Sequence, residues 1–282
     1  MATIINHDIR SVNGKYLIMP PWKEGQSGWG NLSVPNVCAA GGDTAQQYPV
    51  NAKFVNFDRR FIYGYCTAVY TTNKANVGMF NGAVKELVTF GSIAGAAGDT
   101  LVSIDGTTLD VETTAAANVF AGGYFMPRTN PYSDYRIISN TTYIGGSVSA
   151  TEMDIVIEDG LTEAVTAAQA SCFLDKNPYQ MLVQNWAGGR DYESVVGVTL
   201  IDPTVSTWQW IQVSGPVHVP SDENMGASAN LRCAWWHIDG SVRAGAGYDE
   251  TTSQQQQYAG YCIGDTTSSD VMSWFIMLNP LD

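Results

Sequence analysis

The stretch Thr207-Trp-Gln-Trp-Ile-Gln-Val-Ser-Gly-Pro-Val-His-Val219 alternates apolar and polar residues, breaks at Gly215-Pro216 and then resumes. Side chains of an extended strand point to opposite faces in turn. Trp208, Trp210 and Gln212 therefore share one face, and Gln209, Ile211 and Val213 share the other. Gly-Pro has no side chain followed by no N–H, so it is expected to end or kink the strand before His218. Two tryptophans on one face fit either a stacking platform for a ligand or a buried seam. No catalytic partner lies near them in sequence, and the reading favours burial in the chain's own core.

The same pattern recurs along the chain. Runs rich in Val, Ile, Tyr, Thr and Phe, bounded by Gly, Pro, Asn and Asp, predict strands. They cover Lys53–Phe57, Thr100–Ile104, Tyr135–Ser139, Met153–Ile157, Val195–Ile201, Leu231–His237 and Met272–Leu278. Asp105-Gly106 and Asp239-Gly240 are turn dipeptides that predict hairpins. Helical turns are expected only at Ala115–Ala121 and Thr162–Cys172. Gln254–Gln257 reads as a polar loop tip. Many short strands at this spacing mean an all-β protein of the sandwich or barrel kind.

Composition agrees with that class. The chain has 282 residues, 45% of them hydrophobic and only 15% charged, against the usual quarter. Its net charge of −13 repels phosphate backbones and anionic lipid, so neither nucleic acid nor a membrane is an expected partner. Met1–Arg10 lacks the apolar run of a signal peptide, and no stretch reaches membrane-span length, so cytoplasmic synthesis is expected. The five cysteines are scattered without metal-type spacing and read as small buried hydrophobes.

Three regions are expected. Residues 1–80 form an extended N-terminal arm, Lys15–Gly42, leading into a first β element. Residues 81–183 and 184–282 form two β-sandwich or barrel modules.

Few residues are placed for chemistry. His237, Asp239 and Cys233 are placed to share a strand end, but nothing nearby completes a metal site. Glu152, Asp154, Glu158 and Asp159 gather around one strand, where a glycosidase would want two carboxylates across a cleft. The plainer reading is a solvated edge that resists strand pairing. No nucleophile elbow occurs, and Gly28-Trp-Gly30 and Gly122-Gly123 lack the helix of a phosphate loop. No catalytic residue, cofactor or metal is expected.

The order of short phrases carries further information. It runs Gln47-Tyr-Pro49, Asp58-Arg-Arg-Phe-Ile-Tyr63, Ala94-Gly-Ala-Ala-Gly-Asp-Thr100, Phe120-Ala-Gly-Gly-Tyr124 and Asn177-Pro-Tyr179. It closes with Trp208-Gln-Trp-Ile-Gln-Val-Ser-Gly-Pro216 and Gly260-Tyr-Cys262. Over residues 45–280 this resembles a family of tailed-phage virion proteins of the head-decoration or cement type. The chain departs from the family pattern at Asn51, at Asp58 and in Trp208-Gln-Trp, where the family carries glycines.

The resemblance implies a non-enzymatic structural protein on the outer surface of an icosahedral capsid. It also implies a homo-oligomer, typically a trimer, with the major capsid protein as partner. Candidate residues for a capsid or subunit interface are Tyr16, Trp22 and Trp29 in the arm, and Tyr48, Arg59 and Arg60 in the opening phrases. The alternative is a head-fibre or receptor- or glycan-binding virion protein that uses exposed aromatics.

Overall fold

A computed structural model describes residues 8–12, 15–19, 37–38, 41–69, 78–81, 85–89, 92–105, 108–109, 114–127, 133–144, 153–165, 171–184, 194–202, 204–221, 232–237, 240–244, 248–249, 254–255, 257–263 and 274–278. The chain is all-β; among the described residues there is no helix. Five strands come first: β1 Asp8–Val12, β2 Lys15–Met19, β3 Lys53–Asn56, β4 Arg59–Val69 and β5 Gly78–Asn81. Ten follow: β6 Lys85–Thr89, β7 Ser92–Ala94, β8 Leu101–Asp105, β9 Thr108–Leu109, β10 Thr114–Ala115, β11 Tyr124–Pro127, β12 Tyr135–Asn140, β13 Tyr143–Ile144, β14 Met153–Ile157 and β15 Ser171–Asp175. The last nine are β16 Leu182–Gln184, β17 Val195–Thr199, β18 Thr207–Val219, β19 Cys233–Trp236, β20 Val242–Ala244, β21 Tyr248–Asp249, β22 Gln254–Gln255, β23 Tyr258–Cys262 and β24 Trp274–Leu278.

The strands divide into two compact units. One holds Ala83–Gln180, and the other joins Ile9–Met19, Asn31–Gly82 and Met181–Asp282. The first and last regions expected from sequence are therefore one unit, because β4 pairs with both β16 and β18. The expected arm is also shortened: Lys15–Met19 is a strand paired with β3, while residues 20–36 lie outside the described set.

In the larger unit β18 serves two closed sheets. Its first half joins the ring β4–β16–β5–β17–β18, which returns to β4. Apart from the parallel pair β4–β16, the described registers of this ring are antiparallel. Its second half pairs with β24 and continues through β23 and β19 to β20. A parallel bridge from Val242 to Ser221, two residues past β18, closes this second ring. Val198, Val217, Val219, Trp236, Ile276 and Leu278 are among its core residues.

The change of partner happens at the Gly-Pro break. A bulge between Gln212 and Ser214 shifts the register of β18 on β4, whose last pair is Ser214 with Arg60, and bulges bend and twist the strand that carries them. Gly215 then takes φ +94°, a value that L side chains rarely adopt. Its bare Cα also lets the Asp58 carbonyl approach so closely that a Cβ would collide with it. The expected break is thus a handover, and the strand runs on through Pro216 to Val219. Carbonyls left between partners find one in Gln212, whose Nε2 donates to Ser214 O (3.2 Å) and Pro216 O (2.9 Å).

The smaller unit has an eight-stranded sheet in the order β7–β8–β14–β12–β11–β15–β6–β9. One face buries Met153, Ile155 and Ile157 with Val102, Ile104, Ile137, Phe125 and Leu174. Asp105-Gly106 does not make the expected hairpin: β8 pairs with β7 and β14, whereas β9 pairs with β6. Nor is Ala115–Ala121 helical. Asn140 Oδ1 accepts from Phe120 N–H and its Nδ2 donates to Ala116 O. Those two groups would bond each other in an α-helix, so a buried amide from β12 holds them apart. The Thr162–Cys172 expectation fails over its described part, where Val165 bridges to Gly95 and Cys172 lies in β15.

Gly215→Ala is expected to lower stability by about 2–4 kcal/mol through backbone strain plus the clash at Asp58. Urea unfolding of the purified chain measures it. A loss within error of zero would remove the handover from the account of the fold.

Candidate interaction surface

The Trp208 face of β18 is occupied by its own chain. Directly opposite residues of an antiparallel pair share a face, and the register sets Trp208 against Tyr65 and Trp210 against Tyr63. Trp210 is 4% exposed and lies 5.0 Å from both Tyr48 and Tyr63 and 5.9 Å from Phe54, ring centre to ring centre. Trp208 is half-buried, 4.5 Å from Tyr65 and stacked on Tyr63 at 6.2 Å. The segment around Asp43 ties itself to β18 by paired backbone hydrogen bonds with Trp208 (2.7 and 2.9 Å). Tyr63 OH donates to Asp43 Oδ2 (2.7 Å) and accepts from Gln47 N–H (3.2 Å). Burial first, then the bond to Asp43, hold its proton well above the ordinary tyrosine range.

On the far side of this layer, β2, β3 and β4 present an outer face. Phe54, Leu17 and Phe61 point inward and are buried. Tyr16, Val55 and Arg60 form a row across the other face, with Lys53 two residues along from Val55. Tyr16 is 46% exposed, and Lys53 and Arg60 are exposed. At the tip of the β3–β4 hairpin stands Phe57, 79% exposed and at φ +57°. A bulky residue in the left-handed region is a true outlier, costing on the order of 1 kcal/mol or more. The neighbouring Asp58 carbonyl sits against Gly215, which braces this tip on β18.

Of the interface residues expected from sequence, this face gathers Tyr16 and Arg60. Arg59 is half-buried on the adjoining strand start. Tyr48 is buried in the aromatic layer and presents no ring to an outside surface. Trp22 and Trp29 lie outside the described residues. Phe57 and Lys53 are the residues sequence reasoning missed. Phe57 hides at the end of a strand-like run because its turn carries none of the usual Asn-Gly or Asp-Gly signals. The signal that was present is charge: residues 1–80 carry seven of the 14 cations and four anions.

The chain matches no protein-family model, no curated protein and no solved structure.

Elsewhere the residues singled out for chemistry have structural uses. The strand bearing Asp154 is not an edge: β14 pairs with both β12 and β8. Asp154 accepts from Ser103 Oγ (2.6 Å), and Glu158 lies 3.9 Å from Arg136. Arg136 also reaches the Tyr124 hydroxyl and covers its ring. Glu152 and Asp239 lie outside the described residues. His237 closes the β19–β20 turn through backbone bonds to Ser241 and Gly240. Cys66, Cys172 and Cys262 are buried, but Cys38 and Cys233 are exposed, against the expectation of uniform burial. Gln257 is no loop tip: its amide gives Val195 both a donor and an acceptor at 2.8 Å, standing in for a strand. Among the described residues no three His, Cys, Asp or Glu side chains gather to hold a metal. Nor is any helix there long and apolar enough to cross a membrane.

Two outcomes are expected. Tyr63→Phe strands Asp43 and Gln47 and lowers stability at neutral pH by about 1–3 kcal/mol. In the unfolded chain Tyr63 ionises near pH 10, while the folded state keeps its proton. Stability is therefore intact below about pH 10 and falls as pH rises beyond it, and Tyr63→Phe makes that fall shallower. Urea unfolding from about pH 7 to pH 11 reads both effects. Phe57→Asn places a residue that tolerates positive φ and raises stability by about 0.5–1 kcal/mol. Dilute-solution denaturation that shows a loss instead would contradict the strain at this tip.

Proposed function

We propose that this chain is a non-enzymatic virion structural protein of the tailed-phage decoration type. It binds the outer surface of an icosahedral capsid as a homo-oligomer, three copies together, and stabilises the shell against internal pressure. The observation that carries the reading is the use made of Trp208–Pro216. The phrase that carries the family resemblance is spent on joining two closed sheets, with Trp210 buried and Trp208 half-buried against Tyr65 of the same chain. A rigid β body braced by the aromatic layer around Trp210 suits a part that bears load. The exposed row of Tyr16 and Arg60 beside Phe57 has the residue types that dominate protein–protein hot spots.

A second reading, a glycan-binding head protein, draws on the outer face of the second ring. There Trp235 and Tyr258 meet edge to face at 5.1 Å, and Tyr261 is 46% exposed. Exposed rings on a sheet face suit sugar stacking, although Trp235 itself is half-buried.

The test is addition of the purified chain to expanded, empty capsids of the phage that encodes it. Saturable, stoichiometric binding and a raised capsid disruption temperature are expected. Absence of saturable binding ends the first reading, and hits on a glycan array that vanish in Tyr261→Ala would support the second.

A further inference from the structure

We propose that the β2–β3–β4 face, with Phe57 at its tip, docks onto the acidic surface of a second copy of this chain, building a head-to-tail ring. The inference rests on the homo-oligomer within the reading above and names the surface that makes it.

Charge is the first argument. Residues 1–80 hold seven cations and four anions, a net +3, whereas residues 81–282 hold seven cations and 23 anions, a net −16. Two copies approaching at random repel each other. The face carries Lys53 and Arg60 with Asp58 exposed at its tip, and contact is favoured where its two cations meet the predominantly acidic remainder of the next copy. Complementary potentials of this kind select orientation and partner.

The cations of this face also bear on the symmetry. A two-fold contact through this face would set the Lys53 and Arg60 of both copies against one another. A head-to-tail contact avoids that, and such contacts close into rings when the rotation permits. A three-copy ring is one closed solution.

Phe57 is the second argument. Its ring is more exposed than any other large apolar side chain among the described residues, at 79%, and its backbone sits at φ +57°. Neither property helps the isolated chain, and strain held by the surrounding structure marks functional positions. The tip is not loose, since the Asp58 carbonyl is seated on Gly215. A braced apolar knob beside an exposed Tyr16 and two exposed cations combines the apolar, aromatic and charged groups that an interface needs.

Sedimentation velocity of the full chain tests this from about 50 to 500 mM NaCl. The wild type is expected to form a small closed oligomer whose dissociation midpoint rises with salt. Lys53→Glu with Arg60→Glu should leave monomer at concentrations about a hundredfold above the wild-type midpoint, and Phe57→Asn should weaken assembly at least about tenfold. In dilute solution, where the wild type is dissociated, Phe57→Asn should not lower the unfolding temperature, which a merely structural role would not allow. If the charge reversals impair folding by circular dichroism, Arg60→Gln carries the comparison.

A wild type that stays monomeric at every salt, or variants that assemble like the wild type, overturn the proposal. A monomeric wild type whose capsid binding is lost in Phe57→Asn also overturns it, and assigns this face to the shell. An oligomer that needs Phe57 but binds no capsid upholds the proposal while removing the capsid reading.

Discussion

One strand must satisfy two closed sheets. β18 belongs to the ring through β4 for its first half and to the ring through β24 for its second. An uninterrupted ladder cannot do this, because the pleat would carry the same neighbours along its whole length. Three residues within a span of four solve the problem. The bulge at Val213 turns the strand, Gly215 supplies a conformation closed to other residues, and Gln212 bonds the carbonyls stranded in between. The hairpin tip with Phe57 leans on that same glycine, so the exposed surface depends on the interior handover.

Alternation of side chains made the strands legible. The runs at Lys53, Tyr135, Met153 and Val195 are strands with nearly the expected ends, whereas the strand from Thr207 runs past the expected break at Gly215-Pro216 to Val219. Alternation says nothing about which strand lies beside which. That is why the first and last regions read as separate modules, why Asp105-Gly106 read as a hairpin, and why β14 read as an edge. Each error concerns a partner distant in sequence. Side-chain amides were equally hard to foresee. Asn140, Gln212 and Gln257 act as pieces of backbone, and a polar residue in a β-rich sequence looks like surface until its partners are known.

The candidate surface was partly legible. Tyr16 and Arg60 were found because they stand out as an aromatic and a cation in segments of interest. Tyr48 stood out for the same reason, yet its ring completes the layer over Trp210. Composition cannot separate an aromatic that faces out from one that faces in; only the register does so. Phe57 escaped because its exposure follows from a turn conformation that its residue type disfavours.

The larger unit is discontinuous, and the way it is interrupted has a consequence for how the chain is made. Residues 83–180 intervene between β5 and β16, two strands that lie side by side with Asn81 opposite Leu182. On the ribosome β4 emerges long before β16 and β18, and its two ring neighbours are absent while the intervening unit is synthesised. The strands described between residues 83 and 180 pair among themselves and can fold at once, since domains generally form as they emerge. Once folded, that unit brings β5 and β16 together and shortens the loop that β4 and β18 must close, lowering the entropy of that late step. In this order of events the smaller unit acts as a clasp, and the first strands wait for it.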